Sequence, residues 1–407
     1  MGISNRTYTL RNCAYIVDSQ QAVKTGNIVI EGQYIRSVGN EVEGDEIDCS
    51  QFIVVPGLVN AHTHLAMTVL RGFFDDGELH EWLSKMWNEE EKLSTELMMI
   101  GSEIGLIEMI TSGTTTFVDM YFNPEQINTL SSKYGIRARA GPILMRESSV
   151  DEIMKKMRTL ERSEFFEPII NVHSLYATDI EDIRELRNIL SERDHVHIHV
   201  SETREEVFQI KKKYGLFPVE LLQREGLMKF LHGVHLGWVT SWELGYLREA
   251  ISATHCPTSN MKLATGGVFP MREALDLGVN VTIGTDGAAS NNSLNLFQEM
   301  KAAVMLQRHN YWSTSIRAVD VFNASTVSGY KMLGLKGGKI MPGYLADLVL
   351  IDKYQVYPLK EERILSHLVY NPPREVEKVI VGGNLIYEKG DFTERLRELV
   401  EKLSLYL

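Results

Sequence analysis

The stretch VVPGLVNAHTHLAM, residues 54–67, places two histidines one residue apart directly after a run of apolar, β-forming residues. Successive side chains of a strand point to opposite faces, so His62 and His64 project to one side and Thr63 to the other. Two imidazoles that share one point are typical of a metal site. Polar loop histidines just past a strand fit an isolated HxH pair equally well, so the rest of the chain has to decide.

That stretch begins a series of short β-rich runs, most of them separated by amphipathic helical segments such as LNLFQEMKAAVMLQR, residues 294–308. This alternation predicts an α/β fold, a (β/α)8 TIM barrel. A doubly wound open sheet would show a glycine-rich phosphate loop after its first strand, and none follows here. The eight runs are GLVNAHTH, TTTFVDMY, IRARAGPIL, PIINVHSLYA, HVHIHVSE, KFLHGVHLG, ISATHCPTSN and NVTIGTDGAAS.

The two ends of the chain have a different pattern. Residues 7–55 contain β-patterned stretches separated by glycine and polar turns. The same pattern recurs near the C-terminus in ADLVLID and EKVIVGGNLIYEKG, which precede a charged amphipathic helix. We therefore predict a small β-sandwich domain formed by residues 1–56 and 338–407. The metal-dependent barrel domain, residues 57–337, would interrupt it.

Bulk composition narrows the class of partner. A net charge of −12 disfavours nucleic acid, and no apolar run is long enough to span a bilayer. The start of the chain lacks a secretory apolar region, and the three cysteines have no CxxC spacing, which argues against a disulfide framework or a thiolate zinc site. The prediction is a cytoplasmic enzyme that binds a small molecule and neither nucleic acid nor a membrane. The sequence does not determine the oligomeric state, and a homo-oligomer is compatible with it.

The chemistry of a barrel sits at the C-terminal ends of its strands, and polar groups recur there in this sequence. His232 and His235 have odd spacing, so at most one of them should face the lumen. Asp286 follows an apolar strand, where a buried carboxylate needs a cation. The groups at the strand ends are His62, His64, His173, His199, Glu202, His232, His235 and Asp286.

Three imidazoles and one carboxylate suit a borderline divalent ion such as Zn²⁺, held with an open position for water. The fourth run offers no lysine at its end that could bridge two metals after carboxylation. We expect one zinc ion per chain, with iron or another divalent metal left open.

Together these residues resemble the amidohydrolase superfamily and, within its mononuclear deaminase branch, the 5'-methylthioadenosine/S-adenosylhomocysteine deaminases. HxH by itself is weak evidence, but the ordered set covers nearly the whole chain. The motifs that carry the resemblance are PGLVNAHTH, ETREE, HGVHL, HCPTSNMKLATGG, GTDGAASNNSLNLFQEM and GGKIMPGYLADLVLID.

The resemblance implies a reaction and roles for the residues. The 6-amino group of an adenine nucleoside would be removed by hydrolysis, giving an inosine-type product and ammonia. The metal ligands would be His62, His64, His199 and Asp286. Asp286 would also accept a proton from the metal-activated water, His232 would orient that water, and Glu202 would deliver a proton to the purine ring.

The resemblance also assigns substrate contacts. Glu90, within the run WNEEEKL, would bind the ribose hydroxyls, with an uncertainty of one residue in either direction. His173 would contact the purine. Trp82 and Ser290 correspond to positions that line the pocket.

One segment departs from relatives that accept S-adenosylhomocysteine. Where an arginine for the homocysteine carboxylate would align, this chain has Pro142, and Arg146 is the nearest substitute. Arg137 and Arg139 lie earlier on the strand, where structural ion pairs are expected. The resulting hypothesis is that methylthioadenosine or adenosine serves at least as well as S-adenosylhomocysteine.

Two alternatives remain at this point. A related amidohydrolase could deaminate guanine, cytosine or a pterin, or dechlorinate a triazine, since fold does not determine substrate. A free-base enzyme has no use for Glu90. A non-catalytic barrel scaffold is the other alternative, but it would have no need for so many costly polar groups in one lumen.

Overall fold

The computed structural model describes residues 6–18 and 23–406. All eight predicted β-runs contain a strand, and the strand predictions are confirmed. In chain order the strands are β1 Thr7–Val17, β2 Val23–Glu31, β3 Tyr34–Gly39, β4 Asp45–Asp48, β5 Phe52–Pro56, β6 Leu58–Thr63, β7 Thr114–Asp119, β8 Arg137–Ala140, β9 Ile143–Leu144, β10 Phe166–Pro168, β11 Ile170–Ser174, β12 Val196–Val200, β13 Leu231–His235, β14 Ser252–His255, β15 Val281–Ile283, β16 Leu348–Asp352, β17 Lys378–Val381 and β18 Asn384–Glu388.

Helices alternate with the strands from β6 onward. Across residues 6–18 and 23–406, none of them combines the length and the apolar character that crossing a membrane demands. The α-helices are α1 Leu79–Glu90, α2 Thr95–Thr111, α3 Pro124–Tyr134, α4 Val150–Thr159, α5 Ile180–Ile189, α6 Arg204–Tyr214, α7 Pro218–Arg224, α8 Glu243–Tyr246, α9 Pro257–Lys262, α10 Met271–Asp276, α11 Ala288–Asn291, α12 Leu296–Tyr311, α13 Ala318–Ala324, α14 Val327–Met332, α15 Ile364–Tyr370 and α16 Thr393–Leu403.

The central strands are parallel and form two hydrogen-bonded sheets, in the orders β10-β8-β7-β6 and β15-β14-β13-β12-β11-β9. Backbone hydrogen bonds join the sheets at both seams. At one seam the Ile169 N–H donates to the Ala140 carbonyl of β8 over 3.2 Å, and at the other the Asp286 N–H donates to the His62 carbonyl over 3.0 Å. The second seam therefore brings the ends of β6 and β15, with their polar side chains, into direct contact.

Strands from both chain ends share one sheet, as predicted. Its order is β18-β17-β16-β5-β1-β2-β3, with β4 paired to β1, and its apolar core includes Leu10, Ile28 and Leu348. The sandwich arrangement and the domain boundaries stay a prediction. Residues 1–5, 19–22 and 407 of the predicted small domain lie outside the described part of the chain.

A buried ion pair connects this sheet to the barrel strands. Arg137 in β8 contacts the Asp347 carboxylate, which also accepts hydrogen bonds from the Tyr330 hydroxyl over 2.7 Å and the Gly382 N–H over 2.6 Å. Buried ion pairs need such additional hydrogen bonds to offset desolvation. Arg139 pairs with Glu167 over 2.8 Å, so the structural pairing expected of both arginines is confirmed.

A second polar cluster attaches the C-terminal helix α16 to α2. The Glu103 carboxylate, with 4% of its side chain exposed, accepts hydrogen bonds from Arg395 at 2.9 and 2.7 Å and from Lys133 and Tyr134 at 2.5 Å. Burial by itself would raise the pKa of Glu103, but the hydrogen bonds from Arg395, Lys133 and Tyr134 outweigh it and lower the pKa to about 2.

We expect Glu103→Gln to lower the free energy of unfolding near neutral pH by about 1–3 kcal/mol, because charge-assisted hydrogen bonds are lost. The folded-state pKa lies below the ordinary 4.5, so this stabilisation is complete above that value and disappears as pH falls from 4.5 towards about 2. Urea unfolding at several pH values measures the difference between parent and variant.

The matched control is Glu398→Gln, which removes an exposed partner of the same Arg395 at 3.0 Å. This variant should lower the free energy of unfolding by less than about 1 kcal/mol, because exposed ion pairs contribute little to stability. A difference between Glu103→Gln and parent that stayed constant from neutral to acidic pH would contradict the role assigned to this cluster.

Candidate active site

Four side chains predicted as metal ligands converge inside the barrel strands. Nε2 of His62 lies 3.3 Å from Oδ1 of Asp286, and Nε2 of His64 lies 3.2 Å from the same oxygen. Nε2 of His199 lies 3.2 Å from Nε2 of His62. β6, β12 and the segment after β15 thus bring three imidazoles and one carboxylate into one cluster, in which His62 lies next to both His199 and Asp286.

The hydrogen bonds behind these rings show which nitrogens carry protons. Nδ1 of His64 lies 2.5 Å from the Met120 carbonyl oxygen, which can only accept, so Nδ1 carries a proton and the neutral ring offers its lone pair at Nε2. Nδ1 of His62 lies 3.1 Å from Nε2 of His197, which lets His62 present Nε2 in the same way. Lone pairs directed at one point, with a carboxylate beside them, fit a divalent cation.

The electrostatics of the cluster agree with a cation at that point. Burial lowers the pKa of His62 to about 3 and that of His199 well below its ordinary value, so both rings are in the neutral form that binds metals. Burial alone would also lower the pKa of His64, but its hydrogen bond to Asp286 raises it to about 9. The space between His64 and Asp286 therefore attracts positive charge.

Glu202 lies beside the cluster, in the turn after β12. Burial raises its pKa to about 8, and the negative charge of Asp286 acts in the same direction. The carboxylate of Glu206 accepts the backbone N–H groups of Ser201 at 3.0 Å and Glu202 at 2.8 Å and so supports the turn. Glu202 is consequently a buried carboxyl group whose raised pKa suits it to hold and release a proton near neutral pH.

The structure corrects the prediction for His232. Its Nε2 lies 2.9 Å from Nδ1 of His195 and its Nδ1 3.1 Å from Oγ of Ser252, away from the metal cluster. His235 lines the cavity instead, with Nε2 3.6 Å from Oε1 of Glu202.

The reason is local backbone geometry, which alternation along a strand does not describe. His235 has φ 71°, a left-handed conformation that rotates its side chain towards the cluster. Ser201 and Asp286 adopt similar values, 52° and 62°. Such conformations in residues other than glycine are costly and are concentrated at functional sites.

The cluster opens into a cavity of about 720 Å³ with mostly apolar walls. His173 lines it, with its ring centroid 5.3 Å from that of His199. Glu90 and Trp82 of α1 line it too. Glu90 accepts a hydrogen bond from the Tyr121 hydroxyl over 2.7 Å, and the Trp82 indole N–H has no partner among the described residues.

Two further predicted contacts have different outcomes. Arg146 lines the cavity at its rim, where its side chain is 57% exposed and donates to the Tyr176 carbonyl over 2.9 Å. Ser290 is corrected: its buried hydroxyl donates to the Gly287 carbonyl over 3.0 Å, within the first turn of α11, and the cavity walls are made by other residues.

Some residues of the site were not assigned from sequence. Tyr121 is the last residue of the run TTTFVDMY, two residues past the end of β7, and Ser259 in the PTSN motif donates to Oδ2 of Asp286 over 2.5 Å. The apolar wall includes Met67, Leu79, Leu83, Met86, Phe122 and Met145. Tyr121 and Ser259 follow strand ends, a signal that could have identified them, whereas the apolar residues read only as core.

Comparison with known proteins agrees with this site. The amidohydrolase family model matches residues 53–386. The chain is 37% identical over 402 residues to 5-methylthioadenosine/S-adenosylhomocysteine deaminase 1 of Archaeoglobus fulgidus, covering 94% of this chain and 95% of the relative. It is 36% identical over 405 residues to 5'-deoxyadenosine deaminase of Methanocaldococcus jannaschii, covering 93% and 96%.

A solved structure extends the likeness to the fold. The crystal structure of an adenosine deaminase from Xanthomonas campestris with bound zinc superposes with a TM-score of 0.89 at 27% identity, over 98% of each chain. This agreement supports the predicted α/β TIM-barrel fold. With its metal-ligand cluster at the strand ends and a family match that spans most of its length, the chain belongs to the amidohydrolase family.

Proposed function

We propose that the protein is a zinc-dependent deaminase that removes the 6-amino group of adenine nucleosides, giving inosine-type products and ammonia. The observation that carries the proposal is the buried carboxyl group of Glu202 beside the cluster of His62, His64, His199 and Asp286, in a cavity that the Glu90 carboxylate also lines. The names of the relatives, which cover methylthioadenosine, S-adenosylhomocysteine and 5'-deoxyadenosine, support this substrate class.

His62, His64, His199 and Asp286 would hold the zinc ion. When bound, zinc lowers the pKa of a water ligand from its ordinary value towards about 7, which supplies hydroxide at neutral pH. Imidazole and carboxylate ligands suit zinc among the divalent metals.

The chain's own residues then move the protons. Asp286 accepts a proton from the attacking water, and His235, in place of His232, donates a hydrogen bond to its oxygen. Glu202 gives its proton to the purine nitrogen beside the attacked carbon. As the C–N bond breaks, the proton from Asp286 leaves with the ammonia, the hydroxyl proton of the intermediate returns to the Glu202 carboxylate, and the new C–O bond becomes a carbonyl.

Glu90 distinguishes a nucleoside from a free base. A carboxylate can accept two hydrogen bonds from the neighbouring hydroxyls of a ribose, a group that guanine as a free base and a triazine lack. Of the adjacent glutamates, Glu89 pairs with Lys92 at 2.6 Å, whereas Glu90 faces Tyr121 and has its pKa raised by burial. His173 would contact the purine, and the apolar wall would take the 5' substituent.

The remaining assignments belong to the same proposal. The small domain comprises residues 1–56 and 338–407 and the barrel residues 57–337. The protein works in the cytoplasm on a small-molecule substrate.

Removing the metal with a chelator should abolish turnover, and Zn²⁺ should restore it, because water alone is too weak a nucleophile at neutral pH. Elemental analysis should find about one equivalent of zinc per chain, because the four proposed ligands make up one mononuclear site. His199→Ala should lose the metal, while the exposed His309→Ala should keep it. Full activity in metal-free protein would exclude the proposal.

Glu202→Gln should retain the metal and lose a factor of about 10²–10⁴ in kcat, because an amide cannot transfer the proton. Ammonia release from adenosine derivatives is the measurement. Glu205→Gln, an exposed neighbour, is the control and should match the parent. Parental rates in Glu202→Gln would show that another group is the acid, and loss of metal would make Glu202 a ligand.

The parent should use methylthioadenosine or adenosine at least as well as S-adenosylhomocysteine. Arg146 can meet the homocysteine carboxylate only in competition with Asp179, 4.0 Å away, and with the Tyr176 carbonyl. Arg146→Ala should therefore lower kcat/KM for S-adenosylhomocysteine alone, by about tenfold or more, as loss of a charge-assisted hydrogen bond does.

The control is Arg158→Ala, which removes an exposed arginine of the neighbouring helix α4. It should leave all three substrates unaffected. A strong preference for S-adenosylhomocysteine that survives Arg146→Ala would place the carboxylate contact elsewhere.

A further inference from the structure

The PTSN motif places an asparagine directly behind His235. Asn260 lies in α9, is 5% exposed, and its side-chain Nδ2 donates to Nδ1 of His235 over 3.1 Å. The segment is held from both sides: the Asn260 carbonyl accepts the Thr265 N–H over 3.1 Å, and Glu299 accepts the Thr258 N–H over 2.8 Å. The amide is thus presented to the ring by a well-anchored turn.

This contact determines which nitrogen of His235 carries the proton. A neutral imidazole has one N–H and one lone pair, and an amide N–H that donates to Nδ1 requires the lone pair there. The proton of His235 then lies on Nε2, which faces the cavity 3.6 Å from Glu202. His64 is the opposite case, because its Nδ1 faces the Met120 carbonyl and its lone pair is on Nε2.

We propose that Asn260 is a positioning residue that keeps His235 as the Nε2–H tautomer, so that this ring donates a hydrogen bond to the reacting oxygen and does not bind the metal. Two sets of side chains lie close enough to hold an ion: His62, His199 and His235 form one, and His62, His64 and Asp286 the other. The tautomer removes His235 from the first set. The part of this inference that concerns the hydrogen bond to the reacting oxygen rests on the proposed deaminase function.

The tautomer can be observed without any substrate. Two-bond ¹H–¹⁵N correlation spectra of zinc-loaded, ¹⁵N-histidine-labelled protein distinguish a protonated ring nitrogen from a bare one. The His235 signals are assigned by their loss in His235→Gln. We expect Nδ1 bare and Nε2 protonated in the parent, and the reverse in Asn260→Asp, whose carboxylate can only accept.

The kinetic consequence separates this role from a structural one. Asn260→Asp turns a lone pair towards the reacting oxygen, so kcat should fall by about 10²–10³, as loss of one preorganised donor does, with a smaller change in KM. Asn260→Ala enforces neither tautomer and should lose less. A structural role predicts the reverse order, because alanine removes the contact and aspartate retains its shape.

Met261→Ala, an exposed neighbour in α9, is the matched control and should keep parental kcat and the parental spectrum. A parent spectrum with Nδ1 protonated would overturn the proposal, and so would equal losses in the two Asn260 variants. If Asn260→Asp does not fold, the parent spectrum alone decides. A protein that deaminates no nucleoside but shows the expected tautomer would refute the function and leave the assignment of His235 standing.

Discussion

The constraint on which the rest of the site depends is the crowding of imidazole nitrogens around one carboxylate inside the barrel strands. Nε2 of His62 and of His64 lie 3.3 and 3.2 Å from the same oxygen of Asp286, in a buried place. Groups of this kind are costly to bury unless a positive charge accompanies them. A divalent cation supplies that charge, so that metal binding and the folded arrangement of the strand ends stabilise each other.

The groups behind the rings decide what each ring does. A carbonyl oxygen behind His64 leaves the lone pair pointing inward, while the amide of Asn260 behind His235 leaves a proton pointing inward. Two histidines of the same site thus acquire opposite hydrogen-bonding characters from the groups behind their rings. This is why a list of ligands describes only part of a metal centre.

The site also divides its tasks between elements. The strand ends carry the proposed metal ligands and Glu202, whereas α1 and the segment after β9 line the part of the cavity proposed to hold the ribose and the 5' substituent. Packed strands hold reactive groups in accurate geometry, and connecting segments vary more easily in sequence. A common reaction on different nucleosides is therefore compatible with this fold.

Much of this could be predicted from sequence because it depends on local periodicity. The pattern of apolar residues predicted the eight β-runs, and alternation along a strand predicted that His62 and His64 point to the same side. The polar residues at the strand ends then gave the predicted ligand set. Only the tertiary structure decided between His232 and His235, because the left-handed backbone at His235 breaks the alternation. It also decided that the Ser290 hydroxyl is used within its own turn. It showed that α1 lines the cavity as well, because contacts between distant segments such as α1 and the strand ends leave no period in the sequence.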